Sequence, residues 1–408
     1  MTRRDWTIAG ISAAVVAVLA LVIAAMVWPD SPDPRAAGST TSTVPESPLP
    51  NPLLTTSADP EPEVTDPAAK PDDEKKEEEK EEDEKDKEKK RPEDAALLAD
   101  APAAGEGQLP DSQPVTCPQA TVEVSDANGL AKALEEAQPG AVIGLADGTY
   151  GGKFVTSASG TPEQPIYLCG GAGAVLDGEN IKGGYVFHLN QAKHWRLVGF
   201  TVTNGQKGVM ADGTVGSVIQ GLTVHTIGDE AIHLRNFSTD NVVLQNKISK
   251  TGLRRDKFGE GVYIGTAVSN WCTNTDCKPD RSDRNVVKGN DIREVSSEAI
   301  DIKEATTGGL VEGNTFDGKS ITGADSWLDM KGNNWLVRGN TGTNSPLDGF
   351  QTHQILKGWG DHNVFTQNVA TVNGPGHGFA LRPAESNVVK CDNQVSNAAE
   401  GVSNEPCQ

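Results

Sequence analysis

One short unit recurs along the second half of the chain: SVIQGLTV at residue 217, NVVLQNKI at 241, NVVKGNDI at 285, GLVEGNTF at 309, NWLVRGNT at 334, NVFTQNVA at 363 and NVVKCDNQ at 387. Successive starts are 24, 44, 24, 25, 29 and 24 residues apart. A period near 24 built from β-branched runs and turn asparagines cannot bury a core one unit at a time. The units must stack as coils of a solenoid. The 44-residue interval is one coil plus an insertion of about 20 residues that carries WCTNTDC.

A second strand lies between these units. Its copies are EAIHLR (230–235), EGVYIG (260–265), EAIDIK (298–303), SWLDMK (326–331), DGFQTH (348–353) and HGFALR (377–382). The third positions are Ile232, Val262, Ile300, Leu328, Phe350 and Phe379, and the fifth are Leu234, Ile264, Ile302, Met330, Thr352 and Leu381. Side chains alternate faces along a strand, so these two columns face the core. The fourth column (His233, Tyr263, Asp301, Asp329, Gln351, Ala380) and the sixth (Arg235, Gly265, Lys303, Lys331, His353, Arg382) face outward. Coils stack ~4.8 Å apart, so neighbours in a column reach one ligand. The first column adds Glu230, Glu260, Glu298, Ser326, Asp348 and His377 at the edge of that face. Polar residues on a solvated sheet face are ordinary, and Asp/Lys pairs also relieve repulsion along a ladder. The concentration of acids and bases on one face, with Trp327 and Trp359 nearby in sequence, is what an extended polymer would need.

Upstream of the repeats the composition changes twice. Arg3 and Arg4 precede an uncharged run from Thr7 to Trp28, 22 residues long, enough to cross a hydrocarbon core of ~30 Å. Residues 1–29 are expected to be a cytoplasmic tip and an uncleaved transmembrane signal anchor, with the remainder outside a cell membrane. Cleavage near Ala24-Ala25 would instead give a secreted protein. Residues 30–115 hold 24 acids and 10 bases, with few bulky apolar side chains. Such a segment cannot offset the entropy of ordering and is expected to be a disordered stalk. The remaining residues, 116–408, form the folded domain. The net charge of −21 makes nucleic acid an unsuitable partner.

All six cysteines follow the stalk, and an even count in an exported domain argues for disulfides. Proximity favours Cys272 with Cys277 and Cys391 with Cys407, leaving Cys117 with Cys169; a zinc site is the alternative. Asp126 is placed to cap a helix through AxxLAKALEEA that Pro139-Gly140 stops, a natural lid for one end of the solenoid. Helix signals then disappear.

PGAVIGLADGTYGG (139–152), GTPEQPIYL (160–168) and the asparagine-rich repeats resemble the right-handed parallel β-helix of the pectate-lyase-like superfamily. The opening coils are similar to the chondroitinase B and alginate lyase group. The resemblance implies an all-β fold of about 24 residues per coil and action on an acidic (uronate) polysaccharide or cell-envelope glycan, as a monomer, by β-elimination. That chemistry needs a base for the C5 proton and a cation beside the developing enolate, commonly calcium. Lys303 and Lys331 match the base, beside Asp301 and Asp329; Glu260, Glu298, Asp301 and Asp329 offer oxygens suited to calcium. Arg235, His353 and Arg382, with Trp327 and Trp359, are the candidate substrate contacts. Two other readings stay open: a glycan-binding or structural module without catalysis, and a glycoside hydrolase or epimerase, for which the Asp301/Asp329 pair suits hydrolysis.

Overall fold

The computed structural model describes residues 108–384 and 386–408. The expected membrane segment, and the stalk up to residue 107, lie outside the described residues. Among those described, no helix is long and apolar enough to cross a membrane.

The repeat unit turns out to be two strands rather than one. In NVVLQNKI, Val242–Leu244 and Lys247–Ser249 belong to different sheets, separated by a corner at Gln245, whose φ is +53°. Glycine serves this corner in five other coils, at Gly199 with φ +87° and at Gly221, Gly289, Gly313 and Gly339 with φ near +64°, a conformation that costs glycine nothing. With the EAIDIK-type strand, each coil has three strands. They stack as three parallel sheets of 11, 10 and 10 strands, a right-handed parallel β-helix.

The asparagine after each corner is buried and bonds to its copy in the next coil. Asn246 Nδ2 donates to Asn290 Oδ1 (2.9 Å), Asn290 to Asn314 (2.9 Å), Asn314 to Asn340 (2.9 Å), Asn340 to Asn368 (3.0 Å) and Asn368 to Asn393 (2.9 Å). Each Oδ1 also accepts the backbone N–H of the preceding asparagine, as Asn314 Oδ1 does from Asn290. The buried carboxamides of the ladder thus have partners for both their oxygen and their nitrogen, as burial requires. The ladder ends where Leu222 N–H donates to Asn246 Oδ1. In earlier coils Leu222 and Phe200 occupy the corner, both fully buried. Both coils lack the asparagine; sequence self-comparison still finds the Leu222 coil, through SVIQGLTV, but misses the Phe200 coil.

The helix Ala127–Glu135 (α1) is capped by Asp126, whose carboxylate accepts from Gly129 N–H at 2.8 Å. Leu130 and Leu134 close the end of the core. The cysteines pair as Cys117–Cys169, Cys272–Cys277 and Cys391–Cys407. Residues 108–115, which composition puts in the stalk, lie against the solenoid flank: Leu109 and Val115 pack beside Val218, Val242 and Leu310. Gln220 accepts from Val115 N–H at 2.7 Å and donates to its carbonyl at 2.9 Å. Two apolar residues suffice because the flank already presents an apolar stripe.

Replacing Asn314 by Ala strands buried partners above and below it. The expected cost is about 1–3 kcal/mol, read as a lower midpoint in chemical denaturation with an unchanged slope.

Candidate active site

The inward and outward columns stack in register. Leu234, Ile264, Ile302, Met330, Thr352 and Leu381 follow one another, while His233, Tyr263, Asp301, Asp329, Gln351 and Ala380 alternate with them. The outward face is not the flat, open surface that the sequence suggests. Asp301 is 2% exposed, Asp329 6% and Gln351 0%. Trp271 of the insertion packs with Ala305, Leu356 and Trp359, and Val268 borders the cluster, so that the insertion is fastened over one side of the face. Its base is tied down as well. Asp280 is fully buried and accepts from the N–H groups of Asn236 and Phe237, both at 2.8 Å, and from Thr266 Oγ1 at 2.7 Å. On the other side, residues 251–259 are held by Arg254 and Arg255, both ion-paired to the fully buried Asp229. Between the two walls a cleft of about 190 Å³ remains, lined by Glu230, Glu260, Tyr263, Glu298, Asp301, Lys303 and Lys331 among others.

A chain of ion pairs crosses the cleft floor. Lys303 Nζ lies 2.8 Å from Asp301 Oδ2, and Lys331 Nζ lies 2.7 Å from Asp301 Oδ1 and 2.8 Å from Asp329 Oδ2. His353 Nδ1 closes the chain at 2.8 Å from Asp329 Oδ1. Burial works against the Lys331 ammonium, but Asp301 and Asp329 outweigh it and hold it charged. Burial likewise opposes the Asp329 carboxylate, and Lys331 and His353 keep it ionised well below the usual range. Lys331 is therefore clamped as a fixed cation. Lys303, paired with Asp301, also borders Tyr263, whose ring centroid is 4.9 Å from its Nζ.

The first column behaves differently rung by rung. Lys207 Nζ is 3.0 Å from Glu230 Oε1 and keeps that carboxylate ionised against the effect of burial. At Glu260, burial and the charges of Glu230, Glu298 and Asp301 push the carboxyl well above the usual range. At Glu298, burial and Asp301 raise it to about 7. His233 is driven toward its neutral form by burial; its Nε2–H donates to the Gly265 carbonyl at 3.1 Å, and its ring meets Tyr263 edge-on at 4.2 Å.

These oxygens decide whether calcium fits. Glu260, Glu298 and Asp301 bring one oxygen each within 4.8 Å of one another, and Glu260 Oε2 is buried without a hydrogen-bond partner. Asp329 is not in that group. Both Asp301 oxygens already face ammonium nitrogens, and calcium takes about six to eight oxygens. Two glutamates beside two ammonium groups do not meet that requirement. The expected four-ligand calcium site does not fit the side chains present.

Other expected residues also sit elsewhere. Trp327 is fully buried with Nε1 donating to the Thr343 carbonyl at 3.0 Å, because second positions of this strand turn into the corner of the core. Trp359 is 2% exposed within the cluster that fastens the insertion. Neither offers a ring to a sugar. Arg382 pairs with Asp348 at 3.2 Å and does not line the cleft. Arg235 does. Sequence reasoning assigned no role to Tyr263, although its column placed it beside Asp301; nor did it find Lys207, Arg255 or Phe258, which lie outside the aligned strands.

A solved alginate lyase from Paenibacillus sp. str. FPU-7 is 34% identical over 70% of this chain and 99% of its own, with a TM-score of 0.65. A pectate lyase, Pel9A, is 16% identical over 65% of this chain and 72% of its own (TM-score 0.44). A rhamnogalacturonan lyase is 13% identical over 65% and 79% (TM-score 0.47). No protein-family model and no curated protein matches.

Two outcomes follow from the charges. The folded state holds the Glu298 proton more tightly than the unfolded chain, so its contribution is greatest below pH 4.5 and is lost as pH rises to about 7. Glu298→Gln removes that loss, and its stability relative to the native protein grows across the interval in denaturation curves taken at successive pH values. Calcium added to chelator-treated protein leaves the thermal midpoint unchanged, since only a ligand bound by the folded state raises it.

Proposed function

We propose, from the premise that this chain belongs to the β-helical family of the Paenibacillus alginate lyase, that it cleaves an acidic, uronate-containing polysaccharide by β-elimination. The observation that carries the reading is Lys303, on the cleft floor with Tyr263 on one side and the Asp301–Lys331 pair on the other. Lys303 first gives up its ammonium proton to solvent, and its free amine then takes the C5 proton of a bound uronate. The C5–H electrons form the C4–C5 double bond, the C4–O bond breaks, and its electrons leave with the oxygen. The Tyr263 hydroxyl protonates that oxygen as it departs. Negative charge grows meanwhile on the uronate carboxyl group, and Lys331 supplies a fixed positive charge for it. A cation held ready before the reaction needs no reorganisation when charge develops. Burial raises the Glu260 and Glu298 carboxyls above the usual range and so lessens the negative charge that the floor presents to an anionic substrate.

The setting of this activity belongs to the same proposal. The first 29 residues anchor the chain in the cell membrane, and the acidic segment after them spaces the catalytic domain from the surface. The domain works there as a monomer on polymer chains too large to enter the cell. The Thr7–Trp28 run and the two preceding arginines support this orientation.

Incubated with alginate, pectate and glycosaminoglycans in turn, the protein is expected to generate ultraviolet-absorbing unsaturated uronate ends from one of them. Lys303→Ala abolishes the signal, and Tyr263→Phe lowers kcat by roughly 10²-fold or more. New reducing ends without ultraviolet absorbance would assign hydrolysis to the carboxylates instead, and binding without any cleavage would make the cleft a glycan-recognition site.

A further inference from the structure

Arg235 is built into the cleft more firmly than an ordinary surface arginine. Its Nε donates to Asp212 Oδ1 at 2.7 Å and its Nη2 to the Tyr185 hydroxyl at 3.3 Å. Asp212 is itself held by His188 Nε2 at 2.8 Å and Asn236 Nδ2 at 2.9 Å. Tyr185, Asp212 and Arg235 come from three successive coils, so the guanidinium plane is set from three rungs. Among the described residues, no acceptor takes Nη1. The side chain is 15% exposed, and it lines the cleft.

The column it belongs to has a gap. Arg235, Gly265 and Lys303 occupy successive rungs, as the register of Leu234, Ile264 and Ile302 requires. Gly265 has φ +92°, and a Cβ there would lie 2.8 Å from Thr306 Cγ2 and 3.1 Å from Lys303 Cβ. The column itself places no side chain between the Arg235 guanidinium and Lys303, whose rungs are about 10 Å apart. Nearby charges do not fill the gap: Glu230 is occupied by Lys207, and Asp212 by Arg235 and His188.

We infer that Arg235 is the carboxylate-binding group of a second subsite, two rungs from Lys303, which engages a uronate further along the same polymer. The inference rests on the elimination reading only for which sugar reacts. Two rungs compare with the distance between like-oriented carboxylates on an extended 1,4-linked polyuronate, so one chain lying along the sheet meets Lys303 and Arg235 together. The open Nη1 edge gives directional N–H donors to a carboxylate, which a lysine at this rung would not reproduce. Tyr185, Asp212 and His188 are then positioning residues that aim the fork.

The test uses the full chain and oligouronates of two to six residues, each with a carboxyl-reduced counterpart. Arg235→Gln is expected to raise KM for tetramer and longer substrates by roughly tenfold or more, with kcat within about twofold and the dimer unaffected. The preference of tetramer over its carboxyl-reduced counterpart shrinks by the same factor. Tyr185→Phe, which keeps the arginine and frees its Nη2, raises the same KM by a smaller factor, and Arg235→Lys stays closer to Arg235→Gln than to the native protein. Calorimetric binding to Lys303→Ala follows the same order without requiring cleavage. If the native protein cleaves and the tetramer's KM and carboxylate preference survive both Arg235→Gln and Tyr185→Phe, the subsite is wrong while the elimination reading stands. If no unsaturated product forms yet Arg235→Gln weakens oligouronate binding in Lys303→Ala, the elimination reading is wrong while the subsite stands.

Discussion

A buried carboxamide bonded to its own copy one coil away is the interaction on which the rest of this protein depends. A side chain that both donates to and accepts from its neighbours can repeat without limit along a stack, and asparagine is short enough to do so inside a tight corner. The ladder from Asn246 to Asn393 holds adjacent coils in register without a slip. Register is what matters for the site, since a shift of one residue would turn every outward side chain into the core.

The same repetition that orders the core creates an electrostatic problem outside it. Like residues fall on like positions, so Glu230, Glu260 and Glu298 stack in one column and Lys303 and Lys331 in another. The structure resolves the two columns differently. Aspartates from the neighbouring column interleave with the lysines, giving each ammonium a close carboxylate. The glutamates have Lys207 for only the first of the three, and burial raises the carboxyls of the other two above the usual range. A cation site and a site of raised carboxyls thus adjoin on one floor. Charges buried this way add little to stability because desolvation consumes much of their attraction. Their arrangement is better understood through the chemistry it permits.

Much of this was readable in advance. The period near 24, the two apolar columns and the grouping of Asp301, Lys303, Asp329 and Lys331 on one face needed only the alternation of a strand and the stacking of coils. The disulfide partners followed from proximity. Trp327 and Trp359 were misread because nearness in sequence says nothing about which side of a corner a ring turns to, and both rings proved more valuable as filling than as platforms. The coil of Phe200 escaped notice because a phenylalanine fills its corner where later coils use asparagine.

What sequence alone determined here is therefore everything that repeats: coil length, core columns, outward face and the residue types upon it. Each of these is local, set by alternation within three or four residues and copied by the next rung. What only the tertiary structure decided is how far that face is open to solvent and which charges pair. Both depend on the segments that do not repeat, the 251–259 loop and the disulfide-closed insertion. Their positions are fixed by long-range contacts of Asp229, Asp280 and Trp359, which no periodicity encodes. By covering the face they dehydrate it, which raises the Glu298 carboxyl, while the close Asp301 and Asp329 carboxylates keep Lys331 a cation against that same dehydration.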